Sequence, residues 1–238
     1  MTSPTGILEP AALADIQARI AAAQARSDHA AAQVTLVAVT KAFHVETLIS
    51  AYKAGLTTLG ESRVQEAAAK LPLFPHRAAC QVRLIGHLQS NKARQAVALF
   101  DLIESVDSLK LLRRLDQLAA EAGRQLPVYL QVNAGHDPAK FGFDPAELAN
   151  LSAELQSAHQ LRITGVMTIA PLTADESRLR DCFATARQVR DDLQAQLPAC
   201  TDLSMGMSDD FELAVEEGAT HVRLGRALFG ERPVPADH

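Results

Sequence analysis

Short apolar runs recur along this chain, each too brief for a helix and each followed by a stretch with helical spacing. The pattern opens with Pro10 to Ala32, an Ala-rich segment in which Leu13, Ile16 and Ile20 fall at helical spacing while Asp15, Arg19 and Arg26 supply charge. It predicts an amphipathic leading helix over about 10–32. Val34-Thr35-Leu36-Val37-Ala38-Val39 follows, a β-branched run of the kind found where a parallel strand is buried on both faces. Comparable runs lie at Thr57 to Gly60, Val82 to Gly86, Phe100 to Ser105, Val128 to Asn133, Ile163 to Met167, Asp202 to Met205 and His221 to Gly225. That makes about eight strands, and 238 residues shared among them leave about 30 each, the length of one strand–helix unit. The pattern therefore predicts the α/β class and a single (β/α)8 barrel with an extra N-terminal helix. An open doubly wound sheet would more often carry a G-x-G-x-x-G after its first strand, and none is present. No Pro/Gly/Ser-rich linker interrupts the series, so residues 1–238 are expected to form one barrel domain.

Composition narrows the function classes. With 47% hydrophobic residues, 21% charged residues and a net charge of -5, the chain is unlike a disordered or low-complexity protein. A pI near 5.9, no Lys/Arg run and only 4% aromatic residues argue against a nucleic-acid partner. Cys80, Cys182 and Cys200 are widely spaced, with no C-x-x-C, as expected of reduced thiols in a cytosol. No basic leader precedes an apolar core and no run approaches the ~18 apolar residues of a membrane span, so a soluble cytoplasmic protein with no membrane partner is expected.

Barrel chemistry sits at the C-terminal ends of strands. The first strand ends in Thr40-Lys41-Ala42-Phe43. A strand leaving the barrel commonly ends in a polar residue, but Val39, Ala42 and Phe43 would surround this ammonium with apolar groups, which favours the neutral, nucleophilic amine of Schiff-base chemistry. Ser62, after the second strand, reads equally as a helix cap. His87, in Gly86-His87-Leu88-Gln89-Ser90-Asn91-Lys92, reads equally as a structural or a chemical histidine. Ser204-Met205-Gly206-Met207-Ser208-Asp209-Asp210 leads into a helix expected to begin near Ser208, a place suited to an anion, although Ser208 is also an ordinary N-cap and Asp209 and Asp210 would repel a phosphate unless turned away. The last strand alternates Val222 and Leu224 with His221 and Arg223 and ends at Gly225-Arg226, where barrels frequently hold phosphate. Gly225 to Gly230 has Walker A spacing without its Lys-Ser/Thr, so a nucleotide P-loop is rejected. A rim lysine and a phosphate cradle together suit an aldehyde cofactor that carries a phosphate.

The segments Val37 to Lys41, Gly60 to Glu66, Ile85 to Lys92, Leu203 to Asp210 and Val222 to Gly225 resemble, in order, the pyridoxal phosphate homeostasis proteins. The resemblance implies a fold-type III barrel like the N-terminal domain of alanine racemase, with pyridoxal 5′-phosphate (PLP) bound to Lys41 as a Schiff base. It also implies that Ser208 and the backbone of Gly225 and Arg226 hold the phosphate, that Arg223 faces the pyridine nitrogen, and that Ser204 and Met205 line the approach. Ser62 and His87 are carried as further cofactor contacts. The family commonly has Asn where this chain has Ser62, and Thr168 stands in a segment that departs from the family pattern.

An arginine at the pyridine nitrogen disfavours a ring proton and makes the cofactor a poor electron sink. Related racemases use a tyrosine from a further β-domain, whereas Tyr52 and Tyr129 fall inside predicted barrel elements and the chain stops eight residues after Gly230. The expectation is a non-catalytic protein that buffers, stores or delivers PLP in vitamin B6 and amino-acid homeostasis, a monomer whose recipients would be apo PLP-dependent enzymes. Two alternatives are a racemase using Lys41 and a base such as His87, and a lysine-dependent aldolase whose phosphate site grips substrate.

Overall fold

The β-branched runs become the staves of a closed barrel. The computed structural model describes residues 6–173 and 175–231, so the two ends of the expected 1–238 domain lie outside the described residues. Eight parallel strands follow one another in sequence order, and β1 (Thr35–Val39) closes the sheet by pairing with both β2 (Thr58–Glu61) and β8 (His221–Leu224). Between these lie β3 (Gln81–Leu84), β4 (Leu102–Val106), β5 (Leu126–Gln131), β6 (Leu161–Met167) and β7 (Asp202–Ser204). All eight coincide, within the usual few residues at the ends, with the apolar runs. Strands buried on both faces need no polar side, which is why they read as unbroken hydrophobic stretches.

The helices form the outer layer. In chain order they are α1 (Pro10–Ala25), α2 (Val45–Lys53), α3 (Val64–Lys70), α4 (Ala93–Leu99), α5 (Leu109–Glu121), α6 (Pro145–Leu148), α7 (Ser152–Gln156), α8 (Glu176–Gln194), α9 (Phe211–Glu216) and α10 (Arg226–Phe229). Leu48, Leu59, Leu112, Leu115, Phe183 and Ala186 are among the fully buried residues of the main core. Burying each such side chain contributes roughly 1.5–3 kcal/mol against the entropy of ordering the chain.

The leading helix is shorter than its apolar spacing suggests, ending at Ala25 rather than near residue 32. Ser27 explains the stop. Its hydroxyl donates to the Glu216 carbonyl and accepts from His29 N, while the Gln24 side-chain amide reaches the Ala31 carbonyl at 2.7 Å. These bonds offer the backbone an alternative to continued helix. The helix buries Leu13, Ile16, Ile20 and Ala23 against α9 and α10. No helix among the described residues is long and apolar enough to cross a membrane, and all three cysteines are buried and free.

Candidate functional site

Lys41 stands on the loop after β1, and that loop is clamped from beneath. Lys70, at the end of α3 and only 6% exposed, donates from Nζ to the carbonyls of Thr40 (2.8 Å) and Phe43 (3.0 Å). The same ammonium lies 2.7 Å from Glu61 and 3.1 Å from Glu66. Glu66 in turn accepts from Ala42 N, and Glu61 accepts from the Thr40 hydroxyl at 2.6 Å. Ala42 takes a left-handed φ of 63°, a conformation that persists for a non-glycine residue only where its surroundings impose it. Burial pushes the Glu61 carboxyl above the usual range, with the Lys70 charge pulling the other way, and its second oxygen is buried with no hydrogen-bond partner.

The opposite wall comes from the loops after β7 and β8. Gly206 has φ 89°, and a Cβ there would sit 2.6 Å from the Ala214 methyl, so the turn and its close approach to α9 both require glycine. The helix begins at Phe211, three residues later than Ser208, because Asp210 closes the turn: its carboxylate accepts from Met207 N at 2.5 Å. Burial raises the Asp210 pKa, while the Met207 bond and the Arg223 charge lower it. Ser208 is thereby released from capping α9 and instead accepts from Ala227 N at 3.2 Å. Asp209 pairs with Arg226 across the same junction.

Between these walls opens a cavity of about 380 Å³, lined by Lys41, Ser208, Asp209, Arg223, Gly225 and Arg226 with Val39, Phe43, Ile85 and Met207 as its apolar part. Gly225 is packed close to β1, since a Cβ there would lie 3.3 Å from the Val39 carbonyl oxygen. Arg223, 4% exposed, is held by two bonds: it donates to Ser204 Oγ and to the Thr168 carbonyl, both at 2.7 Å. Burial depresses its pKa, opposed by the charges of Glu104 and Asp210. Thr168 thus acquires a part to play, fixed itself by donating its hydroxyl to the Val132 carbonyl at 2.9 Å.

Behind Arg223 a polar chain crosses the barrel. Ser204 donates to Glu104 at 2.7 Å, Glu104 accepts from Arg83 at 3.1 Å, and Arg83 also meets the Tyr129 hydroxyl and His221 Nε2. Tyr129 donates to Asp202 at 2.8 Å, and its pKa is raised by burial. Because Nε2 of His221 accepts from a guanidinium, the imidazole is neutral, and burial together with two arginine charges lowers its pKa to about 3.

Of the residues singled out in the sequence, Lys41, Ser208, Arg223, Gly225 and Arg226 meet at one cavity. Ser204 and Met205, expected along the approach, are fully buried instead: Ser204 spends its hydroxyl between Arg223 and Glu104 and bears on the cavity through Arg223 alone. Ser62 and His87, expected at the cofactor, line a separate rim depression with Arg63, Gln65 and Lys92. His87 is engaged there, its Nδ1 2.9 Å from Asp107 and its ring stacked on Phe141 at 3.8 Å. The helix expected near Ser208 begins later, at Phe211, because Asp210 takes over the turn. Glu104, Arg83 and Lys70 stand outside the set read from the sequence; for Glu104 and Arg83 the signal in the chain is a charge inside an apolar strand run.

A closed parallel barrel with a lysine after its first strand and an anion-suited junction between its last two defines a recognisable class of protein. Residues 12–233 match the family model described as "Alanine racemase, N-terminal domain". The chain is similar to the pyridoxal phosphate homeostasis protein of Pseudomonas aeruginosa, 38% identical over 226 residues covering 92% of this chain and 94% of the relative. It is likewise similar to that of Schizosaccharomyces pombe, 38% identical over 213 residues covering 86% and 87%. Among solved structures, PipY of Synechococcus elongatus with PLP bound is 43% identical, with a TM-score of 0.79 over 90% of this chain and all of that one. The alanine racemase of Clostridium difficile, 17% identical with a TM-score of 0.71 over 99% of this chain and 60% of that one, shares the fold alone. The chain belongs to the pyridoxal phosphate homeostasis proteins.

Proposed function

We propose that the cavity holds PLP, and that the protein keeps this cofactor in store without turning over an amino acid. One observation carries the reading: Lys41, Ser208, Arg223 and the Gly225–Arg226 backbone, from three different strand ends, meet in one cavity of about 380 Å³. The donor set fits the group. Lys41 offers the amine for a Schiff-base linkage. The Ser208 hydroxyl, while accepting from Ala227 N, keeps its proton to donate to a phosphate oxygen. At the start of α10 the Ala227 N–H already meets Ser208 Oγ and the Leu228 and Phe229 N–H groups meet the Gly225 carbonyl, so the backbone donor offered at this junction is the Arg226 N–H. PLP supplies an aldehyde for condensation with an amine and a pyridine ring that can take up electron density. Arg223 stays charged and is anchored by Ser204 and Thr168, so a proton on a nitrogen facing it is disfavoured.

A racemase reading finds less support. The cavity lining among the described residues contains no tyrosine or histidine to act as a second proton-transfer group. Tyr129 is spent on Asp202 and Arg83 in the barrel interior, Tyr52 is stacked on His76, and His87 is held by Asp107 in its own depression. The wider setting is a cytosolic monomer that buffers PLP in vitamin B6 and amino-acid homeostasis, with apoenzymes as recipients. The test is a visible spectrum of the purified protein incubated with PLP, followed by borohydride reduction and peptide mapping. A yellow protein labelled at Lys41, with no label in Lys41→Ala and no exchange of the α-hydrogen of alanine, is the expected outcome. A label elsewhere, or efficient racemisation, overturns the reading.

A further inference from the structure

The anion end of the cavity contains an anion of its own. Ser208 accepts from Ala227 N, and their chain neighbours Asp209 and Arg226 form an ion pair between the same two loops. The two loops that form this wall, after β7 and after β8, are therefore bridged at the place where a phosphate would sit. Asp209 differs from its neighbour Asp210, whose carboxylate is turned inward and committed to Met207 N. Asp209 has a side chain 73% exposed, the helix after it takes no side-chain cap, and Arg226 is its partner. Arg226, with its side chain 53% exposed, is the outermost of the cavity's three cations, because Arg223 is buried and already bonded twice and Lys41 stands at the far wall. Glu231 also lines the cavity and adds its field to the same guanidinium.

We propose that Asp209 is a built-in competitor for the phosphate of the bound cofactor: its carboxylate occupies Arg226, so an incoming phosphate must displace it and a bound one is more readily released. This rests on the reading that the cavity takes PLP. A phosphate dianion beside a carboxylate is repelled, and a guanidinium already paired with that carboxylate has less to offer as a charge-assisted donor. Neutralising Asp209 removes the repulsion and frees Arg226 together, whereas a carboxylate that merely steadied Arg226 for its grip on the anion would, once neutralised, weaken binding. The sign of the effect separates the two. A store that must give up its cofactor is served by the first arrangement.

The test uses the full chain, with inorganic phosphate and PLP as probes, titrated by calorimetry and by the PLP absorbance. Asp209→Asn is expected to bind phosphate and PLP about tenfold more tightly at low salt and to release PLP more slowly, the gain shrinking near 1 M salt, where screening length falls to about 3 Å. Pyridoxal, which lacks the phosphate, is expected to bind equally to both proteins. In an Arg226→Gln background the same Asp209→Asn change is expected to yield well under half of that gain on a logarithmic scale. Unchanged or weaker phosphate binding by Asp209→Asn overturns the proposal, as does an undiminished gain in the Arg226→Gln background. If the unaltered protein takes up PLP and only the Asp209 effect is missing, this inference alone falls; if it takes up neither probe, the cofactor reading falls and this inference goes with it.

Discussion

At the scale of single residues, His221 shows how a side chain is forced into one protonation state by its neighbours. Arg83 donates to its Nε2 at 3.1 Å, Arg223 adds a second positive charge, and the ring is buried, so its pKa falls from 6.5 to about 3. The folded state therefore refuses a proton that the unfolded chain accepts. A depressed pKa contributes stability that is fully present above pH 6.5 and is lost progressively as pH falls towards about 3. The slope is about 1.4 kcal/mol per pH unit inside that window, or about 2 kcal/mol between pH 7 and pH 5. Urea denaturation of the unaltered protein and His221→Gln at both pH values is expected to show that difference only in the former. Equal pH dependence in the two proteins would assign the loss to other groups.

At the scale of elements, α3 matters less for its own packing than for the lysine at its end. Lys70 satisfies two carbonyls of the Lys41 loop and two carboxylates at once, which holds Ala42 in its left-handed conformation. Lys70→Met leaves Glu61, fully buried, without its cation, and is expected to cost about 3–5 kcal/mol of stability. Adding Glu61→Gln removes the stranded charge and is expected to recover part of that loss in the same urea melts, whereas additive losses would show that the two residues act separately. The elements themselves are legible in the chain because a parallel strand buried on both faces leaves an unmistakable apolar run, as at Val34 to Val39. What sits inside the barrel is harder to read. Glu104 and Arg83 lie in runs otherwise suited to the core, and only the closed geometry brings them onto one another and onto Ser204. Lys41, Ser208 and Arg223 are legible because position at a strand end is itself informative. Ser62 and His87 occupy equivalent positions on the next two loops, yet a neighbouring depression claims them, and strand-end position alone does not distinguish the two. Ser208 reads as an N-cap because its residue type suits one, but Asp210 takes over the turn and leaves the hydroxyl to Ala227.

At the scale of the whole molecule, the cavity is built from the place where the barrel closes. β1 leads into Lys41, β8 carries Arg223 and leads into Gly225, and their pairing, with Val37 opposite Arg223, joins the first strand to the last. Closure is braced from outside by α1, whose Ile16 and Ile20 are buried and whose Arg19 reaches across to Glu212 at 2.8 Å and lies over the Phe211 ring. Gly6 N adds a bond to the Phe229 carbonyl at the end of α10. The leading helix therefore supports α9 and α10, the two helices that follow the anion wall, although it supplies no cavity residue. Ile16→Ala is expected to cost about 2–5 kcal/mol, as for other large-to-small changes in a filled core. The loss should be local in its dynamics. Hydrogen exchange is expected to rise first in α9 and in the turn at Ser208 to Asp210, with β3 to β5 protected until global unfolding, and phosphate affinity should weaken in step with that local opening. Uniform loss of protection around the barrel would show instead that α1 contributes to overall stability without governing the site.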